Sequence, residues 1–138
     1  MHKVNLIPVQ HIVDVWREVE PGIIRALEHS LGESDQYDIL SELVRGQKQL
    51  WTVHDEEFKA VAVTEINYWP KAKKLRIAHL AGKDMNEWLD ELIETLEIFA
   101  KEQGCTHIEA YGRKGWVKAA EHLGFKESYT IITKEIKA

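Results

Sequence analysis

The 138-residue sequence predicts an α+β domain in which helices cover a mixed β-sheet. Three observations support this fold class. Residues 50–80 contain strand-type runs, rich in β-branched and aromatic residues, that are separated by short polar turns. Residues 85–100 keep one apolar face over about four helical turns, the strongest helix signal in the chain. Shorter strand-type and helix-type segments lie on both sides of these regions.

The first part of the chain is predicted to be a strand followed by helices. Residues 4–8 alternate weakly as a short strand, and residues 10–19 have apolar side chains at helical spacing. Pro21 and Gly22 are expected to interrupt this helix, because proline lacks the N–H that a helix interior uses. A second helix then passes through residues 23–27.

The middle of the chain is predicted to contain one capped helix and three consecutive strands. Asp35 is expected to cap the helix, which closes at Gly46. Residues 50–53, 59–69 and 75–80 are the three strands, joined by polar turns.

The last part is predicted to alternate between helix and strand. The long helix ends at Gly104 and is followed by a short strand over residues 108–111. A short helix over residues 116–123 stops at Gly124, and residues 127–136 form a last strand rich in Tyr, Ile and Thr.

Composition restricts the class of protein. Apolar residues make up 44% and charged residues 30% of the chain, which is ordinary for a globular domain, and no apolar run approaches the ~20 residues of a spanning helix. No linker or repeat divides the chain, so residues 1–138 are expected to be one domain. The absence of a signal-peptide pattern and the single cysteine, Cys105, predict a cytoplasmic location. A net charge of -5 argues against specific nucleic-acid binding.

The segment YGRKGWVKAAEHLGFKE, residues 111–127, leads from a strand into a short helix that ends with Gly124 and Phe125. Together with the order of elements over the whole chain, it resembles the GNAT superfamily, the Gcn5-related N-acetyltransferases, and in particular small GNAT-like proteins of tailed phages. The resemblance implies a mixed, mostly antiparallel sheet of about six strands with helices on both faces. It also implies an acetyl-CoA-dependent N-acyltransferase of phage or prophage origin, located in the host cytoplasm, with acetyl-CoA and an unknown amine as partners.

The same resemblance places the cofactor between two splayed parallel strands, residues 75–80 and 108–111, where free backbone groups would take the pantetheine arm. The pyrophosphate would lie at the turn into the long helix, where helix N–H groups are free. The implied cofactor-binding residues are Leu80, Ala81, Gly82 and Lys83 at this turn, and Arg113 and Lys114 after the second strand.

The turn departs from the Gln/Arg-x-x-Gly-x-Gly/Ala pattern of the family, since it lacks the second glycine and the leading Gln or Arg. Asp84 and Glu87 have the spacing of a capping pair, and the Asp84 carboxylate is expected to accept the N–H groups that a pyrophosphate would use. Two interpretations stay open. The turn is either a simple helix cap or a degenerate cofactor cradle in which Lys83 pairs with phosphate.

Acyl transfer to an amine needs a base for the ammonium and an acid for the departing thiolate. The family's tyrosine acid corresponds to Ala120, which cannot donate a proton. Tyr111 is the nearest substitute phenol, and Glu65 or His79 on adjacent central strands could act as the base. The structural alternative is that the tyrosine packs its ring and the histidine is a hydrogen-bonded core residue.

Two function classes therefore follow from the sequence. One is the acyltransferase, and the other is a non-catalytic GNAT-like protein that binds a host or virion protein. No metal is expected, because the seven histidines are scattered and no Cys/His pair has ligand spacing.

Overall fold

The computed structural model of the chain describes residues 2–28, 30, 32–111 and 114–137, with the side chains of residues 114 and 117 left out of the description. Its centre is a five-stranded sheet in the order β1-β2-β3-β4-β5. The first four strands are antiparallel neighbours, and β5 pairs with β4 in parallel. The strands are β1 Lys3–Leu6, β2 Gln49–His54, β3 Phe58–Trp69, β4 Ala72–Gly82 and β5 His107–Ala110.

In the described part of the chain, four α-helices flank the sheet, and they are divided between its two faces, as the resemblance implied. The helices are α1 Ile12–Leu27, α2 Gln36–Val44, α3 Met85–Glu102 and α4 Lys114–Ala120. Helix α3 packs on one face in a core that includes Trp51, Ala62 and Leu75. Helices α1 and α2 pack on the other face over Val61 and Val63. No helix in the described part of the chain has the length and apolarity needed to cross a membrane.

The predicted break at Pro21 is wrong, because α1 runs through this proline without interruption. Pro21 is exposed, whereas Val19 and Ile23 on the same helix are fully buried against the sheet. Burial of this apolar face offsets the single hydrogen bond that proline cannot make. Gly22 allows the close approach, since a Cβ at this position would lie 2.6 Å from Val61 Cγ1.

The predicted last strand over residues 127–136 is also wrong, and this accounts for five strands instead of about six. Residues 125–137 are in neither a helix nor a strand, and Ile132 and Ile136 are about nine-tenths exposed. Strand propensity reflects packing against neighbouring strands, so a β-branched run without such a neighbour has little to hold it in a sheet.

The capped helix and the glycine stops agree with the sequence prediction. The Asp35 side chain accepts from the Tyr37 and Asp38 N–H groups, and the Asp38 carboxylate accepts from the Asp35 N–H. Gly104 and Gly124 have positive φ angles of 77° and 91°, which favour glycine at a helix end.

Two helical glycines provide a matched test of this packing. We expect Gly22→Ala to lower the free energy of unfolding by about 1–2 kcal/mol, because overpacking against a stiff valine outweighs the gain in helix propensity. Gly115→Ala should leave stability unchanged or raise it by up to ~1 kcal/mol, since no atom of the described residues lies within 4 Å of an added Cβ. Urea denaturation measures both values, and equal effects of the two substitutions would contradict the packing described for α1.

Candidate active site

Strand β4 continues well beyond the end of its parallel partner. The β4–β5 register ends at Ile77 opposite Ala110, whereas β4 runs on to Gly82. On that side, residues 78–82 have no strand partner within the described part of the chain. The two strands predicted to hold the cofactor therefore do pair in parallel, and the pairing ends where β5 ends, at Ala110. Unpaired strand edges carry N–H and C=O groups that can bind an extended ligand.

A bulge in β4 determines which side chains share a face of the sheet. Val63 pairs with His79 and Thr64 pairs with Ile77, so Ala78 is an extra residue in the ladder. Arg76 and His79 are three positions apart and would lie on opposite faces of a regular strand. Because of the bulge, both lie on the face away from α3, the face of Val63.

Three charged residues lie side by side on this face. Glu65 on β3 is the register partner of Arg76 on β4, which is the partner of Glu109 on β5. Arg76 Nη1 is 3.3 Å from Glu65 Oε1, and Arg76 Nη2 is 3.4 Å from Glu109 Oε1. With its amide oxygen turned toward Arg76, Asn67 accepts from Nε at 3.1 Å. The guanidinium is therefore held by side chains from both neighbouring strands, β3 and β5.

Tyr111 completes this group just after β5. Its hydroxyl accepts a hydrogen bond from Arg76 Nη2 at 2.5 Å, and the guanidinium carbon lies 4.1 Å from the centre of its ring. Partial burial and a hydrogen bond with Tyr129 raise the pKa of the Tyr111 phenol, although Arg76 opposes the shift. Tyr111 is consequently a protonated phenol at neutral pH, held in place by Arg76.

His79 lies half-buried on the same face. Burial lowers the pKa of its imidazole, and Lys48 lowers it further, against the opposite effect of Glu65, Glu42 and Glu33. The Lys48 ammonium is 3.2 Å from Glu42 and 3.6 Å from Glu65, so it links α2 to the charged row on the strands. The structure thus brings the predicted residues Glu65, His79 and Tyr111 to one face, with His79 neutral at pH 7.

The helix cap predicted at Asp84 is wrong. Asp84 precedes α3 with a positive φ of 57°, and its side chain makes no capping hydrogen bond to the helix. Its carboxylate instead lies 3.2 Å from the ammonium of Lys59 on β3. An ion pair with a largely buried lysine competes with the helix N–H groups for this carboxylate, and it is the ion pair that forms.

Lys59 joins four carboxylates around the turn from β4 into α3. Its Nζ lies 3.8 Å from Asp55, 3.3 Å from Glu57, 3.2 Å from Asp84 and 3.9 Å from Glu87. These contacts raise the pKa of Lys59, with the Asp84 hydrogen bond as the largest favourable contribution. The cluster ties the β2–β3 connection to the start of α3.

The predicted cofactor residues at this turn are used by the fold itself. A Cβ on Gly82 would lie 2.5 Å from Ala60 Cβ, so this glycine serves the packing of β4 on β3. The Lys83 N–H donates to the Lys59 carbonyl at 3.1 Å, and the Lys83 ammonium lies 3.2 Å from Glu57. Leu80 packs on the α3 core, and Ala81 is the register partner of Val61. Arg113 lies outside the described residues, and of Lys114 only the place in α4 is described.

Sequence reasoning missed Arg76, Asn67, Lys48 and Lys59. A signal for the first two was present, because polar residues recur at every second position near the ends of β3 and β4, between apolar neighbours. Lys48 and Lys59 had no comparable signal, since their partners lie on other elements.

Known proteins match this chain in structure and not in sequence. No protein-family profile and no curated protein sequence matches it. A probable acetyltransferase superposes with a TM-score of 0.75 at 14% identity over 99% of both chains. An aminoglycoside N-acetyltransferase in complex with CoA gives a TM-score of 0.69 at 14% identity, over 100% of this chain and 96% of the other. The chain has the GNAT fold.

A third similar structure, from Clostridium acetobutylicum, was solved with acetyl-CoA and is described as a predicted acetyltransferase. It gives a TM-score of 0.65 at 16% identity and covers 98% of this chain and 96% of its own. At identities of 14–16%, these superpositions show that the GNAT architecture is shared and nothing further. The chemistry has to be argued from the residues of this chain.

The environment of His79 is directly measurable. We expect NMR titration to give His79 a pKa below 6.5, with the signal assigned by its loss in His79→Gln. Lys48→Met should raise this pKa and Glu42→Gln should lower it, because the two side chains act on the imidazole with opposite sign. A pKa at or above 6.5, or shifts of the same sign in both variants, would contradict the site geometry.

The carboxylates around Lys59 are expected to make the stability of the fold depend on pH in the acidic range. The Asp55 carboxylate accepts a hydrogen bond from the Glu57 N–H, and with the charge of Lys59 this lowers the pKa of Asp55 below 3.8. The Glu57 carboxylate accepts hydrogen bonds from Lys83 and Lys59, which lower its pKa below 4.5. A carboxylate whose pKa is lower in the folded state stabilises the fold at higher pH and loses that effect as pH falls through its folded pKa. The melting temperature should therefore fall between about pH 5 and about pH 3.

In Lys59→Met we expect a lower melting temperature at pH 7 and a smaller fall on acidification, because protonation then relieves repulsion among carboxylates that have lost their ammonium. Lys3→Met, at an exposed lysine of β1, is the matched control and should follow the wild type. Parallel curves for Lys59→Met and the wild type would show that the cluster does not couple to folding.

Proposed function

We propose that this protein is an N-acyltransferase that moves an acetyl group from acetyl-CoA to an amine. The single observation that carries the proposal is the free edge of β4 beside a neutral His79. An extended pantetheine arm can bind the edge formed by residues 78–82, and this places an acyl group next to the face that holds the imidazole. The GNAT architecture shared with acetyltransferases supports the same proposal.

His79 is proposed as the general base. An amine acceptor arrives as an ammonium at neutral pH and must lose a proton before it can attack a carbonyl carbon. A half-buried imidazole with a lowered pKa is neutral under these conditions, so it can accept this proton. Glu65 is already bound by Arg76 and Lys48, which favours a positioning role for this carboxylate.

Tyr111 is proposed as the general acid. The chemistry that the donor supplies is an activated thioester, whose C–S bond breaks as the new C–N bond forms. The departing sulfur leaves as a thiolate and needs a proton, which the Tyr111 phenol can donate because its raised pKa keeps it protonated. Arg76 holds the phenol, and Glu65 and Glu109 hold Arg76. Positioning of amine and thioester supplies the remaining rate enhancement.

The test combines donor binding with turnover. Millimolar acetyl-CoA should raise the melting temperature by several degrees, since a ligand at 100 times its dissociation constant adds about 2.7 kcal/mol. Thiol release with a panel of primary amines then measures transfer. We expect His79→Gln to reduce kcat about 10²–10⁴-fold and Tyr111→Phe to reduce it less.

His122→Gln is the matched control for the base. His122 is exposed, pairs with Asp90 at 2.8 Å on the α3 side, and should retain wild-type turnover. The proposal is rejected if acetyl-CoA gives no shift in melting temperature, or if His79→Gln turns over amines as fast as His122→Gln.

The second candidate is a GNAT-like protein without catalysis that binds a host or virion protein. The observation in its favour is the group of carboxylates around Lys59, at the turn where the resemblance implies a pyrophosphate. Failure to recover a stable partner from infected cells would count against this alternative. The phage or prophage origin, and with it the host cytoplasm as location, are part of the proposal and are supported by the sequence resemblance alone.

A further inference from the structure

The turn from β4 into α3 carries a net negative charge, which disfavours binding of a diphosphate. The four carboxylates around Lys59 share two ammonium groups, those of Lys59 and Lys83, so the group of six side chains has a net charge of -2. The His2 imidazole lies 3.5 Å from Asp55 and adds positive charge only when protonated. Fixed negative charge at a helix N-terminus opposes an incoming anion.

Two backbone N–H groups of this turn, those of Lys83 and Glu87, already have partners within the fold. The Lys83 N–H is bonded to the Lys59 carbonyl, and the Glu87 N–H is bonded to the Asp84 carbonyl at 2.9 Å. The Lys83 carbonyl accepts from the Trp88 indole N–H at 2.6 Å, which fixes the turn against the core. The missing side chain of Gly82 faces β3, where a Cβ would lie 2.5 Å from Ala60 Cβ, so close packing within the sheet accounts for this glycine. These residues do not fit a diphosphate.

We infer that the acyl donor is recognised through its uncharged acyl-pantetheine part, and that its diphosphate adds no affinity at the β4–α3 turn. This inference rests on the proposed function and specifies which part of the acyl donor the site binds. The free edge of β4 provides backbone donors and acceptors of the kind that the two amides of a pantetheine arm can use. The Lys59 cluster, beyond the end of that edge, repels the phosphates.

The test compares CoA with pantetheine, which lacks the phosphates and the nucleotide, by isothermal titration calorimetry. On the wild-type protein, we expect dissociation constants that differ by less than about tenfold, since the β4–α3 turn gives the phosphates of CoA no favourable contact. Asp84→Asn with Glu87→Gln removes two charges from the turn, and asparagine tolerates the positive φ at position 84. We expect this double variant to bind CoA about three to ten times more tightly at low salt, with pantetheine binding unchanged.

Glu94→Gln with Glu97→Gln is the matched control, because it removes the same charge from exposed positions further along α3. It should leave both dissociation constants unchanged. If the Asp84/Glu87 variant does not fold, the wild-type ratio decides alone.

The outcomes separate this inference from the proposed function. CoA binding more than tenfold tighter than pantetheine on the wild type overturns the inference and leaves the acyltransferase proposal standing. Equal gains in CoA affinity in both double variants also overturn it, because the effect would then not belong to the turn. Binding of neither ligand rejects the inference and the proposed function together.

Discussion

The bulge at Ala78 is the constraint on which the site depends. Strand β4 contributes both Arg76 and His79, and only an extra residue between them can bring side chains three positions apart to the same face. Without it, the imidazole would point into the α3 core, away from Glu65. The bulge also lies one residue beyond Ile77, the last residue of β4 that pairs with β5, so the change of face and the end of the parallel pairing occur at one place.

This arrangement explains why the sequence predicts the fold better than the site. Apolar periodicity identifies α3, and β-branched runs identify the three central strands, because both signals are local. The face on which His79 lies depends on one unpaired residue, and nothing in the run LRIAHLAG distinguishes Ala78 from a regular strand position. The three residues expected to share the chemistry do share a face, but Arg76, which holds two of them, was found only from the cross-strand register.

The errors at Pro21 and at residues 127–136 have a common physical origin. Both predictions applied a local propensity where tertiary packing decides. Helix α1 passes through its proline because an apolar face is buried on the sheet, whereas the C-terminal run has strand-type residues without a strand beside them. The cap predicted at Asp84 is wrong for a similar reason, since its carboxylate forms an ion pair with Lys59, which is distant in sequence and lies on β3.

The net charge differs between the two ends of the β4 segment that includes the unpaired edge. Near Arg76, three carboxylates and three cations alternate across α2 and the strands, so the face is close to neutral, and burial keeps the His79 imidazole uncharged there. Near Gly82, the ammonium groups of Lys59 and Lys83 pair with four carboxylates from the β2–β3 connection and the start of α3, which stabilises the turn but leaves it with negative charge. Carboxylates thus already face the N-terminal dipole of α3 at this turn, and their charge opposes an incoming anion. The charge of the β4 edge therefore changes from nearly neutral beside His79 to negative at the turn into α3.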